Sequence, residues 1–203
     1  MAQNLTILQG KTFSRVVRWE ALPFVYKAIT AITKAAPAVV TSPAHGAPDG
    51  WRVAVVSAKG MTEINASNPP KDREFKKATR VDADTISLND VNASEYSTYE
   101  SGGYVQYYTP VDLAGFTARM QIKDKVGGTV LASSDVDDLP LNIITIAIDN
   151  TLKTITVTIS ATNTAAIVWK KGVYDLEMIS AGGEVTALLS GEVEVVFEVT
   201  TAT

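Results

Sequence analysis

Hydrophobic and polar positions alternate along most of the C-terminal half. Phe116, Ala118, Met120 and Ile122 interleave with Thr117, Arg119, Gln121 and Lys123, the period of two of a strand with one face buried. Lys125-Val126-Gly127-Gly128 reads as a turn, and Thr129 to Ala132 as the returning strand of a hairpin. Ile144, Ile146 and Ile148 mark another strand, Asp149-Asn150-Thr151 turns the chain, and Ile155, Val157 and Ile159 follow between threonines. β-Branched residues at this density favour strand over helix. Ala161 to Trp169 breaks the rhythm: Asn163 or Thr164 is placed to cap a short helical turn carrying Ala166 to Trp169. Tyr174, Leu176 and Met178 then form the more uniform inward face of a strand that ends at Ala181-Gly182-Gly183-Glu184. The last strand is the cleanest. Val193, Val195, Phe197 and Val199 alternate with Glu192, Glu194, Val196 and Glu198, giving one apolar face and one mostly acidic face. Short strands joined by Gly-rich turns predict an all-β fold, an antiparallel sandwich or barrel.

The first half has a different texture. Leu5, Ile7 and Leu8, then Phe13, Val16, Val17 and Trp19, predict one or two opening strands before Pro23 interrupts the pattern. Beyond it, Pro37, Pro43, Pro48, Pro69 and Pro70 punctuate short apolar runs until Pro110. Ala38 to Thr41, Trp51 to Val56, Met61 to Ile64, Arg80-Val81, Thr85 to Leu88 and Tyr99 to Tyr108 read as its strands. The pattern therefore predicts a discontinuous sandwich, residues 1–28 with 110–203, and a small β module inserted at 29–109.

The 203 residues include no Cys and one His. Disulfides, thiol catalysis and thiolate-bound metals are excluded, as are paired-His sites. The net charge is −4, which argues against a basic nucleic-acid binder. It divides unevenly: +3 over residues 1–28, −1 over 29–109 and −6 over 110–203. Met1-Ala2-Gln3-Asn4-Leu5 carries no basic region followed by an apolar run, so no secretory signal is expected. No apolar stretch approaches the roughly 18 residues of a membrane helix, and no membrane partner is expected.

Few residues suggest chemistry. His45 sits in a turn-like His45-Gly46 and reads as a hydrogen-bonding loop residue rather than a base or ligand. Asp135, Asp137 and Asp138 lack the Gly and distal Glu of a calcium loop. Asp82 and Asp84 read as a turn into a strand, and Lys71, Arg73, Lys76 and Lys77 as a solvated loop diluted by Asp72 and Glu74. Neither a phosphate-binding loop nor a nucleophile elbow is present. No catalytic residue, metal site or cofactor is expected. Tyr96, Tyr99, Tyr104, Tyr107 and Tyr108 form a dense cluster. Tyr suits interfaces because it buries a large ring and keeps a polar tip, although internal packing explains such a cluster equally well. With Glu192, Glu194 and Glu198, these tyrosines are the candidate protein-interface residues.

Several segments carry a family resemblance. Asp112 to Lys123, Gly127 to Leu131, Gly172 to Glu177 and Leu188 to Thr200 resemble the immunoglobulin-like sandwich domain of phage baseplate and tail-fibre attachment proteins, including upper-baseplate proteins. Ile32 to Thr41, His45-Gly46, Asp49-Gly50-Trp51, Gly60 to Asn65, Asp82 to Ile86 and Tyr99 to Gly103 resemble a small β-barrel-like module, similar in shape to a β domain of ubiquitin-activating enzymes. That second likeness concerns fold alone. The resemblance implies a virion tail or baseplate adaptor, assembled in the host cytoplasm in several copies, that attaches tail fibres or receptor-binding parts. On this reading the sandwich docks on the tail and the insert meets a fibre or neighbouring subunit. A head decoration or head–tail joining protein is the alternative within the structural class. A carbohydrate-binding receptor module is the alternative outside it, and would need an exposed platform built from Trp51 and the Tyr cluster.

Overall fold

A computed structural model describes residues 3–199. In chain order the strands are β1 (Leu5–Leu8), β2 (Phe13–Val17), β3 (Glu20–Ala28), β4 (Ala31–Ile32) and β5 (Ala38–Thr41). Next come β6 (Arg52–Val56), β7 (Lys76–Arg80), β8 (Thr85–Leu88), β9 (Tyr104–Pro110) and β10 (Thr117–Lys123). The rest are β11 (Val130–Ser133), β12 (Thr145–Asp149), β13 (Thr154–Ile159), β14 (Lys171–Ile179) and β15 (Val185–Val196), with one α-helix among the described residues, α1 (Ala161–Ala165), before β14. The protein is all-β, a sandwich built from mostly antiparallel sheets. The chain divides into two compact units: one takes the residues up to Trp19 and those from Asp112 onward, the other is Glu20–Val111.

The first unit contains two sheets, of order β1-β15-β14-β10-β11 and β12-β13-β2. Its core follows the alternation. Leu5, Ile7, Met120, Ile122, Tyr174, Leu176, Met178, Val193 and Val195 are buried from the larger sheet, and Ile155, Val157, Ile159 and Val17 from the smaller. β15 changes phase once: Leu176 faces Leu189 but Glu177 faces Ala187, so Leu188 is an extra residue and both leucines are buried. A bulge of this kind lets one long strand serve the core along two stretches. β1 pairs with β15 in parallel, unlike every other ladder among the described residues. Gly191 permits that approach, since a Cβ there would sit 2.2 Å from the Gln3 carbonyl oxygen.

The helix lies earlier than its expected position. It spans Ala161–Ala165, with Ser160 as the cap whose Oγ accepts from the Asn163 amide at 3.2 Å. Asn163 and Thr164 are inside it. Thr164 spends its hydroxyl on the Lys11 and Ala161 carbonyls, at 2.8 and 2.9 Å. Ser160 ends β13's extended backbone, so it reaches the cap conformation first. The final alternation also ends early. β15 stops at Val196, and Phe197 and Val199 are exposed.

The second unit is one seven-stranded sheet, β3-β9-β6-β7-β8-β5-β4, curled around a core that includes Trp51, Val53, Val55, Met61, Ile86, Leu88, Val105 and Tyr107. Its boundary differs from the expected residue 29. β3 pairs with β9 from Glu20 opposite Pro110 to Ala28 opposite Tyr104, so this strand belongs to the insert. Pro23 does not end the strand. The register shifts between Ala21 and Phe24, and the bulge absorbs a residue that has no N–H to donate. The same pairing sets the two ends of the insert side by side, the arrangement an insertion requires. Thr62–Ile64 is a turn of 3-10 helix rather than a strand, although Asn65 bridges to Val55. Gly103 has φ +82°, and a Cβ there would lie 2.8 Å from the Ala58 backbone.

Candidate interaction surfaces

The tyrosine cluster is divided by strand geometry. In β9, Val105 and Tyr107 point into the core, while Tyr104, Gln106 and Tyr108 share the other face. Tyr107 is 2% exposed and donates to the His45 carbonyl at 2.5 Å. Burial pushes its hydroxyl up to about 12. Tyr99 packs against the same core and donates to the Ile29 and Gly102 carbonyls at 3.0 and 2.9 Å, and desolvation raises its pKa. Tyr96 also packs there, half-buried. Tyr108 joins a stack on the outer face, its ring centroid 4.6 Å from Phe24 and 5.3 Å from Phe75. Only Tyr104, at 46% exposed, presents much ring to solvent. It meets the half-exposed Tyr26 edge-on, at 6.2 Å and 83°.

Tyr26 was not among the expected interface residues, because Pro23 obscured its strand. The same strand supplies a second feature that sequence spacing conceals. Arg52 lies 5.1 Å from the centroids of both the Phe75 and Tyr108 rings and forks onto Glu20, with its other arm on Asp72 at 2.8 Å. The hydrogen bond that Arg52 donates to Glu20 raises the Arg52 pKa, against an opposing contribution from burial. Such a planar, bidentate, stacked arrangement is specific to Arg.

His45 is fully buried. The Ala47 amide donates to Nδ1 at 3.1 Å, and Nε2, which faces the Asp82 carbonyl at 3.1 Å, donates to it. Both nitrogens are thus occupied by backbone, and the ring braces two loops. Trp51 is equally buried, with Nε1 donating to the Tyr108 carbonyl at 3.0 Å. It forms no part of an exposed platform. Asp82 receives the Asp84 and Thr85 amides, each at 2.8 Å, in a turn. Asp138 accepts from Gln121 at 2.9 Å, and the Asp137 amide donates to Asp135 at 3.0 Å. Among the described residues, no three His, Asp or Glu side chains are placed to hold a metal ion.

The three glutamates separate. Glu192 and Glu194 lie on the outer face of the five-stranded sheet, beside a groove of about 300 Å³ that also includes Lys171 and Asp124. Lys171 stands directly opposite Glu194 in the ladder. Glu198 lies beyond β15 and pairs with Lys11 at 3.0 Å. The acidic stripe therefore continues into a mixed-charge face. Next to it lies a trough of about 630 Å³ lined by Arg119, Gln121, Lys123, Asp175, Glu177 and Ser190, among others. Arg119 donates to Glu177 at 2.6 Å across the β10–β14 ladder. Each strand's polar alternation is visible in the sequence, but the sheet order that assembles them is not.

No family model matches the chain. No curated protein shows significant sequence similarity to it.

Proposed function

We propose that the chain is a phage virion structural protein, an adaptor of the tail or baseplate that attaches fibres or receptor-binding parts in several copies. The sequence resemblance suggests the setting. The observation that carries the adaptor role is the division of one chain into two separately cored β units, the second spliced in through adjacent strand ends. A chain of this kind offers two different surfaces to two partners. The sandwich contributes a polar face of mixed charge in which carboxylates outnumber cations, suited to selecting a partner by electrostatic match. The insert contributes an aromatic outer face with Tyr26 and Tyr104 exposed. The proposed partners are tail, baseplate and fibre proteins; neither nucleic acid nor membrane is required.

Cryo-electron microscopy of intact particles tests this reading. Density for this chain in a ring or collar at the tail, with fibre roots touching it, is the expected result. Density on the capsid shell or at the head–tail junction would replace the tail role by head decoration or joining. Absence from the particle would overturn the structural reading altogether.

A further inference from the structure

One side of the sandwich unit is open, and strand edges form the opening. β1 is the terminal strand of the five-stranded sheet and β2 the terminal strand of the three-stranded sheet. Between them runs a groove of about 320 Å³, lined by Asn4, Leu5, Thr6 and Leu8 on one side and Lys11 to Arg15 on the other. In the parallel ladder the odd-numbered residues of β1 bond to β15. Gln3 donates to Ser190 at 2.8 Å and Gln9 to Val196 at 3.0 Å, with Leu5 and Ile7 in register between them. Asn4 and Thr6 therefore turn their N–H and C=O groups away from β15, to the open side; Leu8 turns its N–H there too, while its carbonyl accepts from the Lys11 amide at 3.2 Å.

The other sheet edges carry a bulge, an irregularity, a short length or a charge: β3 has its Pro23 bulge, β4 is two residues long, β11 is irregular where it meets Lys123, β2 carries Arg15 and β12 carries Asp149. β1 contains no proline, no charge and no bulge. A flat, unprotected edge is a template for another strand.

We propose that the β1 edge receives an extended segment of a partner protein, which adds as a strand and carries carboxylates that meet Lys11 and Arg15. Charge selects this occupant, since the groove is lined by these two cations and by no carboxylate. Both cations are in exposed contacts that re-pair at little cost: Arg15 with Gln3 at 2.8 Å, and Lys11 with Glu198 at 3.0 Å. Apolar side chains of the guest would cover Leu8 and Val196, exposed register partners on the outer face. A second copy fits poorly. A second β1 brings no carboxylate, and the acidic strand β15 is already flanked by β1 and β14. The proposal names a mode of docking and stands or falls apart from the virion reading.

The probe is a capped synthetic peptide with the sequence of Glu192 to Val199, an acidic strand-former, added to the full chain. The peptide is expected to bind, more weakly as salt rises. It should slow amide exchange at Asn4, Thr6 and Leu8 while the odd-numbered residues of β1 keep their protection. Lys11→Glu with Arg15→Glu should weaken binding about tenfold. Thr6→Pro removes an outward N–H, leaves the β15 ladder its bonds, and should abolish binding. If Thr6→Pro does not fold, the charge-reversal pair decides, because both side chains lie outside the ladder. Absence of binding, equal binding of a peptide with its three Glu replaced by Lys, or protection elsewhere than at the even-numbered residues would overturn the proposal.

Discussion

The two units bury polar groups of different kinds. The insert takes in an imidazole and an amide, since His45 and Gln106 are fully buried, and Arg52, laid over Phe75 and Tyr108, forks onto Glu20. The polar side chains that the sandwich buries are the small hydroxyls of Ser133, Thr154 and Thr164, and its charged side chains stay on the outer sheet face and near the β1–β2 groove. The difference teaches where each unit is vulnerable. A large polar group that loses its partners in the interior costs more than a small hydroxyl left in place, so the insert is exposed to single substitutions. The sandwich tolerates changes on its polar face, and its weak point is the seam where β1 meets β15.

The sharpest way to break this contrast is Trp51→Ala. It deletes a fully buried ring and its bond to Tyr108, at a cost of about 3–5 kcal/mol. Hydrogen exchange should show amides of Glu20–Val111 losing protection while β14 and β15 retain theirs. Uniform loss across both units would erase the contrast. Next in size is Arg52→Met, which leaves Glu20, only 10% exposed in its side chain, without its fork. A loss of about 2–3 kcal/mol is expected from urea denaturation. Arg52→Lys should recover only part of it, since an ammonium cannot replace the planar contact.

Gly191→Ala addresses the seam. The added Cβ meets the Gln3 carbonyl, and overpacking of this kind costs about 1–3 kcal/mol. Backbone resonances of β1 should shift while those of β9 stay in place. The smallest effect is acid sensitivity. Amide hydrogen bonds from Asp84, then the contact with Thr85, hold the Asp82 carboxyl below its ordinary range. A depressed carboxyl contributes stability above its unfolded pKa of about 3.9, and that contribution is lost as pH falls through the lower folded value. Asp82→Asn should therefore be less stable than the parent at pH 7, with the gap closing below about pH 4. A gap that persists into strong acid would point to shape rather than charge.

Much of the sandwich was legible because its strands bury one face each, and alternation reports that directly. Tyr174, Leu176 and Met178 point inward as expected, as do Val193 and Val195. The insert was less legible for physical reasons. Its order β3-β9-β6-β7-β8-β5-β4 joins strands far apart in the chain, and no local pattern encodes such pairing. Pro23 looked like a boundary because a proline usually ends a ladder; here a bulge accommodates it. The five tyrosines looked like one cluster because they are close in sequence, yet alternation sends Tyr107 inward and Tyr104 outward. Ser160 as a helix cap was visible in principle, since a Ser follows the threonine-rich strand directly. The β1–β2 groove had no sequence signal, because it exists only where two sheets end.

The most direct test of the division into two units is excision of the insert. Glu20 and Pro110 are ladder partners, so a short Gly-Ser linker joining Trp19 to Asp112 replaces Glu20–Val111. Two-dimensional NMR of the product is then compared with the full chain. Retained, dispersed amide resonances for β1, β10, β14 and β15, with the acidic peptide still binding at Thr6, are expected. A collapsed spectrum would show that the sandwich depends on its insert and would contradict the division.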